Sequence, residues 1–106
     1  MKTVEHPTRI FWHRDLPPEG ARPLGSHELE ANSPPTTWRY GDRDALWAEH
    51  QPLLDAAVRQ RLTQELDRLG ADFAHVVEEH VEAHIEVNAG TFELRGRYGY
   101  VALAAP

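Results

Sequence analysis

The chain has 106 residues, 41% hydrophobic and 26% charged, which suits one domain with a modest core and excludes a wholly disordered chain. It contains no cysteine, so disulfide scaffolds, cysteine-based zinc or iron–sulfur sites and thiol nucleophiles are excluded together. The formal net charge of −6 repels a phosphate backbone and argues against nucleic acid as a partner.

No apolar run reaches the roughly 18 residues of a membrane span, and the opening MKTVEHPTRI lacks the apolar stretch of a secretory signal. The expectation is a cytoplasmic protein without a membrane partner. From Thr3 to His13 the β-prone residues Val4, Ile10, Phe11 and Trp12 are interrupted by Pro7, which predicts an edge or irregular strand over Thr8–His13. RDLPPEGARPLG follows, and its prolines and glycines read as a loop. Between Ser26 and Asn32, His27, Leu29 and Ala31 alternate with Glu28, Glu30 and Asn32, a period of two that predicts a second strand. SPPTTWRYG forms another loop, ending at Asp42 or Asp44, either of which can accept from the free amides of a helix start.

Trp47, Leu54, Val58, Leu62, Leu66 and Leu69 then recur at helical spacing, with Arg59, Gln60, Gln64 and Asp67 between them. Pro52 cannot donate to the carbonyl of Ala48, so the spacing predicts a kink or a restart there, with Asp44–Gln51 as a separate opening segment. Arg68 in the last turn and Gly70 just beyond Leu69 mark a left-handed stop.

From Phe73 to Val87 one strand face would carry Phe73, His75, Val77, Glu79, Val81, Ala83, Ile85 and Val87. The other would carry Ala74, Val76, Glu78, His80, Glu82, His84 and Glu86. Thr91–Leu103 alternates in the same way, and Asn88–Gly90 between the two segments signals a hairpin. Matching apolar faces requires paired residue numbers with an odd sum. The expected value is 179, which sets Val87 against Phe92, Ile85 against Leu94, Val81 against Tyr98, Glu82 against Arg97 and His84 against Arg95. The fold class is therefore α+β: a single domain over residues 1–106 in the order β-β-α-β-β, one long amphipathic helix on a small antiparallel sheet.

The run from RPLGSHELEAN through the helix ending LGAD into HVVEEHVEAHIEVNAGTFELRGRYGYVAL resembles the small bacterial heavy-metal-binding domain family, in which a helix with a similar LGA ending is followed by two antiparallel strands. The resemblance spans Leu24 to Leu103. It implies an oligomeric α+β domain and carries over no site residue; the aromatic N-terminal strand and the histidine-rich hairpin have no counterpart in it.

Two constellations bear on chemistry. In EEHVEAHIE the residues Glu78, His80, Glu82, His84 and Glu86 share one strand face, and imidazole with carboxylate is a ligand set that divalent transition metals accept. His80 and His84 stand about 13 Å apart on a strand, however, so His80 with Glu82 or His84 with Glu82 supplies only two ligands. Arginines opposite disfavour a cation, and a complete site would need a second subunit. A solvated face of cross-strand Glu–Arg pairs is the reading preferred for the stripe. The second constellation is His75 and Glu79 on the apolar face with Tyr100 opposite Glu79, a place where a general acid or base could sit and where a satisfied polar cluster could also sit. Trp12, Trp38, Trp47, Tyr98 and Tyr100 read as core and interface mass. These patterns point first to a non-enzymatic oligomerising or protein-binding module with no cofactor, a dimer by preference. The alternatives are a transition-metal module on His80, Glu82 and His84 and a small enzyme using His75 and Glu79.

Overall fold

The structure, a computed structural model, describes residues 8–38 and 42–106. Val4 and Arg39–Gly41 of the segments discussed above lie outside the described residues. The elements are β1 (Ile10–Trp12), β2 (Arg22–Asn32), β3 (Thr36–Thr37), α1 (Arg43–Leu69), β4 (Phe73–Glu86) and β5 (Thr91–Ala104). They form one α+β unit in which a single helix lies on a five-stranded sheet ordered β1-β4-β5-β2, with β3 also paired to β5.

The sheet is mixed. β1 runs parallel to β4, with Ile10 beside Ala74 and Trp12 beside Val76, whereas the remaining pairs are antiparallel. β2 begins at Arg22, earlier than its alternation indicates. It accommodates Pro23 because it is an edge strand, where a missing N–H costs no ladder bond, and its register shifts between Pro23 and Gly25. β1 and β2 lie at opposite edges, so the connection between them must cross the sheet. Pro17, Pro18 and Ala21 of that connection lie over His75, Val101 and Leu103 on the face away from the helix.

The helix runs unbroken from Arg43 to Leu69 with Pro52 inside it, so the expected restart does not occur. Leu46, His50 and Leu54 are all buried on either side of the missing hydrogen bond, and their packing holds the chain helical through it. Asp42 is the N-cap residue and makes no side-chain capping bond, while its carbonyl accepts the Leu46 N–H at 2.9 Å. Gly70 ends the helix at φ 67°, and Arg9 reaches the same turn, donating to the Ala71 and Asp72 carbonyls and pairing with Asp67 at 3.1 Å. The buried residues Leu46, His50, Leu54, Val58, Leu62 and Leu66 recur every fourth position. That exceeds the 3.6 residues of a turn, so the stripe drifts about 40° per step around the helix, as contact with a twisted sheet requires. Trp47, placed in the stripe by its spacing, is only half-buried, and Leu46 takes the core position.

β4 and β5 are each 14 residues long, about 46 Å, and the 27-residue helix spans about 40 Å, so one helix matches the hairpin's length. The hairpin register differs from the expected one by two residues. Glu86 pairs with Thr91, Ile85 with Phe92, Glu82 with Arg95, His80 with Arg97 and His84 with Glu93. The turn takes four residues, Val87–Gly90, because Gly90 at φ 65° donates back to the Glu86 carbonyl. The odd sum is preserved, so Val81, Ile85, Leu94 and Tyr98 keep the helix-facing side. A bulge between Val76 and Glu78 then changes the phase. Below it Ala74 and Val76 are fully buried and pair with Ala102 and Tyr100, while Phe73, His75 and Val77 pass to the opposite face.

Truncating Leu62, which is fully buried, should cost about 2–5 kcal/mol as Leu62→Ala. The exposed Gln64 should tolerate alanine within about 0.5 kcal/mol. Urea unfolding of the two variants checks this, and equal losses would contradict the helix orientation.

Candidate functional site

The face of the sheet away from α1 is built from three side-chain rows fixed by register. β4 contributes Glu78, His80, Glu82 and His84; β5 contributes Gly99, Arg97, Arg95 and Glu93; β2 contributes Glu28, Glu30 and Asn32. Each arginine is flanked across the strands, Arg97 by His80 and Glu30 and Arg95 by Glu82 and Asn32. Arg95 also meets Glu93 of its own strand at 3.3 Å. These pairs are exposed and worth little individually. Gly99 has no side chain, so the floor drops between Glu28 and Glu78. A depression of about 340 Å³ opens there, lined also by Ser26, His27, Val77 and Tyr100.

The three metal candidates share this face and do not converge. His80 Nε2 lies 4.0 Å from Glu82 Oε2, and His84 faces Glu93. Among the described residues no group of three histidines, aspartates or glutamates is placed to hold an ion.

The acid–base candidates are separated by the bulge. His75 moves to the outer face, where its Nε2–H donates to the His13 carbonyl at 2.8 Å. Glu79 instead accepts from His13 Nε2–H at 3.0 Å, on exposed side chains. Tyr98, not Tyr100, stands opposite Glu79. Burial, with Glu79 and Asp55 nearby, pushes the Tyr98 hydroxyl up to about 12. Tyr100 pairs with Val76, and its buried hydroxyl has no hydrogen-bond partner among the described residues. Its pKa is also raised, first by burial and then by Glu65.

His13 is central to this end of the sheet, although no motif in the sequence marks it. Its N–H bonds the Val76 carbonyl at 2.8 Å, and its backbone is left-handed, at φ 51°, an uncommon state for a residue with a side chain. There the chain turns away from β4. Trp12 just before it packs edge-on to Tyr98 and carries the Arg59 guanidinium 5.3 Å above its ring.

A second unforeseen cluster is buried. His50 is fully enclosed on α1, its ring edge-on to Phe92. Ser33 Oγ lies 2.6 Å from its Nδ1 and Thr36 Oγ1 lies 2.7 Å from its Nε2. Ser33 Oγ also accepts the Leu94 N–H at 2.8 Å. A neutral imidazole has one donor and one acceptor nitrogen and can satisfy both hydroxyls at once. With Ser33 only 1% exposed, this serine–histidine pair fastens the β2–α1 connection to helix and sheet and is closed to a substrate.

Comparison with protein-family models, with curated proteins and with solved structures finds no match to this chain.

Removing the Ser33 hydroxyl strands a buried N–H on Leu94 and one nitrogen of His50. Ser33→Ala should therefore lower stability by about 1–3 kcal/mol, read by thermal or urea unfolding. A loss below about 0.5 kcal/mol would contradict the structural role of the pair.

Proposed function

We propose that this chain is a small non-enzymatic module that works by binding protein, and first of all a second copy of itself, as a dimer. One observation carries the reading. α1 covers a single face of the sheet, and beyond the three residues of β1 the edge of β4 has no strand beside it among the described residues. A free edge of this length presents a row of backbone donors and acceptors that natural proteins either guard or use.

Exposed apolar side chains give further support: Val77 is 47% and Leu24 49% exposed. A chain of this size also gains much by burying surface against a copy of itself. The metal and acid–base readings rank lower because the side chains each would need stand on different faces or too far apart. Among the described residues no helix is long and apolar enough to cross a membrane. Action in the cytoplasm is part of the proposal, supported by the cysteine-free composition.

Light scattering and sedimentation equilibrium up to high-micromolar concentration test the reading. The expected result is a mass approaching twice the 12.1 kDa of the chain. A monomer mass throughout would overturn self-association.

A further inference from the structure

The surface that carries the self-association is named by the alternation on β4. We propose that two copies join edge to edge, β4 against β4, antiparallel about a two-fold axis through Ala83, making one continuous sheet. This deepens the binding reading above and rests on it.

The edge is prepared for such a partner. β1 covers β4 only from Ala74 to Val76, and the left-handed His13 turns the chain away directly afterwards. From Glu78 to Glu86 no described strand pairs with β4 on the side away from β5. α1 packs over β5 and β2 more than over β4, so Val81, Ala83 and Ile85 on the helix side remain only half-buried. These apolar side chains stand beside an open backbone edge.

The outer face of the same stretch reads Glu78, His80, Glu82, His84, Glu86. Regular alternation of two residue types makes antiparallel self-pairing depend on register in a simple way. If the two-fold axis passes through one of these outer residues, like faces like across the seam, glutamate against glutamate. If it passes through Val81 or Ala83, every histidine faces a glutamate; if through Ile85, His84 faces Glu86 but His80 faces the partner's Gly90. Opposite or hydrogen-bonding cross-strand pairs stabilise a seam and like charges destabilise it, so the axis lies on Val81, Ala83 or Ile85.

Sterics and apolar burial select among the three. An axis at Val81 would place the partner's Glu86 against Val76, where Trp12 already pairs. An axis at Ile85 sets the partner's turn residues Asn88, Ala89 and Gly90 against Glu82, Val81 and His80, beyond the end of β4 at Glu86. With the axis at Ala83, His80 meets the partner's Glu86, Glu82 meets the partner's His84, and Val81 packs against the partner's Ile85 on the helix side. Within each copy His80 faces Arg97, Glu82 faces Arg95 and His84 faces Glu93 across the β5 ladder. The arginine row therefore lies beside the Glu/His row on each side of the seam and compensates its glutamates.

The cysteine-free chain makes single-cysteine cross-linking a direct test. Directly opposed residues have Cα atoms about 4.5–5.5 Å apart, within the disulfide range of about 4.4–6.8 Å. Ala83→Cys should therefore link to itself under mild oxidation. Val81→Cys should not, because its copy lies about 13 Å along the strand, whereas Val81→Cys mixed with Ile85→Cys should give the mixed dimer. The double variant His80→Glu with His84→Glu makes the seam glutamate against glutamate and should raise the dimer dissociation constant about tenfold or more.

A dimer by light scattering that fails to cross-link at Ala83→Cys and is indifferent to the double variant would overturn the edge proposal and leave self-association standing. Self-linking of Val81→Cys without linking of Ala83→Cys would overturn the register. A monomer at every concentration would overturn both the proposal and the reading beneath it.

Discussion

The rest of the molecule depends on how much sheet one helix can cover. The stripe from Leu46 to Leu66 buries Phe92, Leu94, Tyr98 and Tyr100 of β5, with Leu29 and Ala31 of β2 and Ala74 and Val76 of β4. Fully burying an aliphatic or aromatic side chain is worth about 1.5–3 kcal/mol, so this contact is the main source of stability in a small domain. It is also finite. A helix presents one stripe to the core, and because this one lies over β5 and β2, the upper half of β4 receives only partial cover. The exposed outer face and the half-buried Val81, Ala83 and Ile85 are consequences of that single covering element.

Two devices adapt the frame to the constraint. The bulge at Val77 reverses the phase of β4 between its halves, so that Ala74 and Val76 face the helix where β1 adds width to the sheet, while Val81 and Ile85 face it higher up. The Ser33–His50–Thr36 cluster anchors the other end, where the chain leaves β2 and enters α1. His50 sits in the leucine stripe between Leu46 and Leu54. It tolerates full burial because both ring nitrogens have hydroxyl partners, and a buried polar ring without them would cost stability. Together they fix the helix over a hairpin of nearly the same length.

Much of this was legible in the residues. Leu54, Val58, Leu62 and Leu66 marked the helix face, Gly70 its end, and the alternation in β4 and β5 the hairpin and, through parity, the face of its upper half. The two-residue error in register arose because Val87 and Asn88 also fit a strand, and the choice of a four-residue turn rests on the Gly90 contact to Glu86. The bulge left a trace that period-two reading passes over: Val76–Val77 followed by Glu78–Glu79 repeats each polarity twice, which is how a phase slip looks in sequence. That slip separated His75 from Glu79, whereas the two-residue difference in register is what sets Tyr98 instead of Tyr100 against Glu79. His13 and His50 were missed for a different reason. Their partners, Glu79 for one and Ser33 and Thr36 for the other, come from elements that only the tertiary fold brings together.

The central claim is that β4 has a free edge which a second copy fills, and amide hydrogen exchange reads that edge residue by residue. In dilute solution, alternate amides between Glu79 and Val87 should exchange quickly while those of β5 stay protected. Raising the protein concentration should slow the β4 amides selectively and leave α1 unchanged. Exchange along β4 that is slow at every concentration, or concentration-dependent protection that appears on α1 instead, would contradict the account.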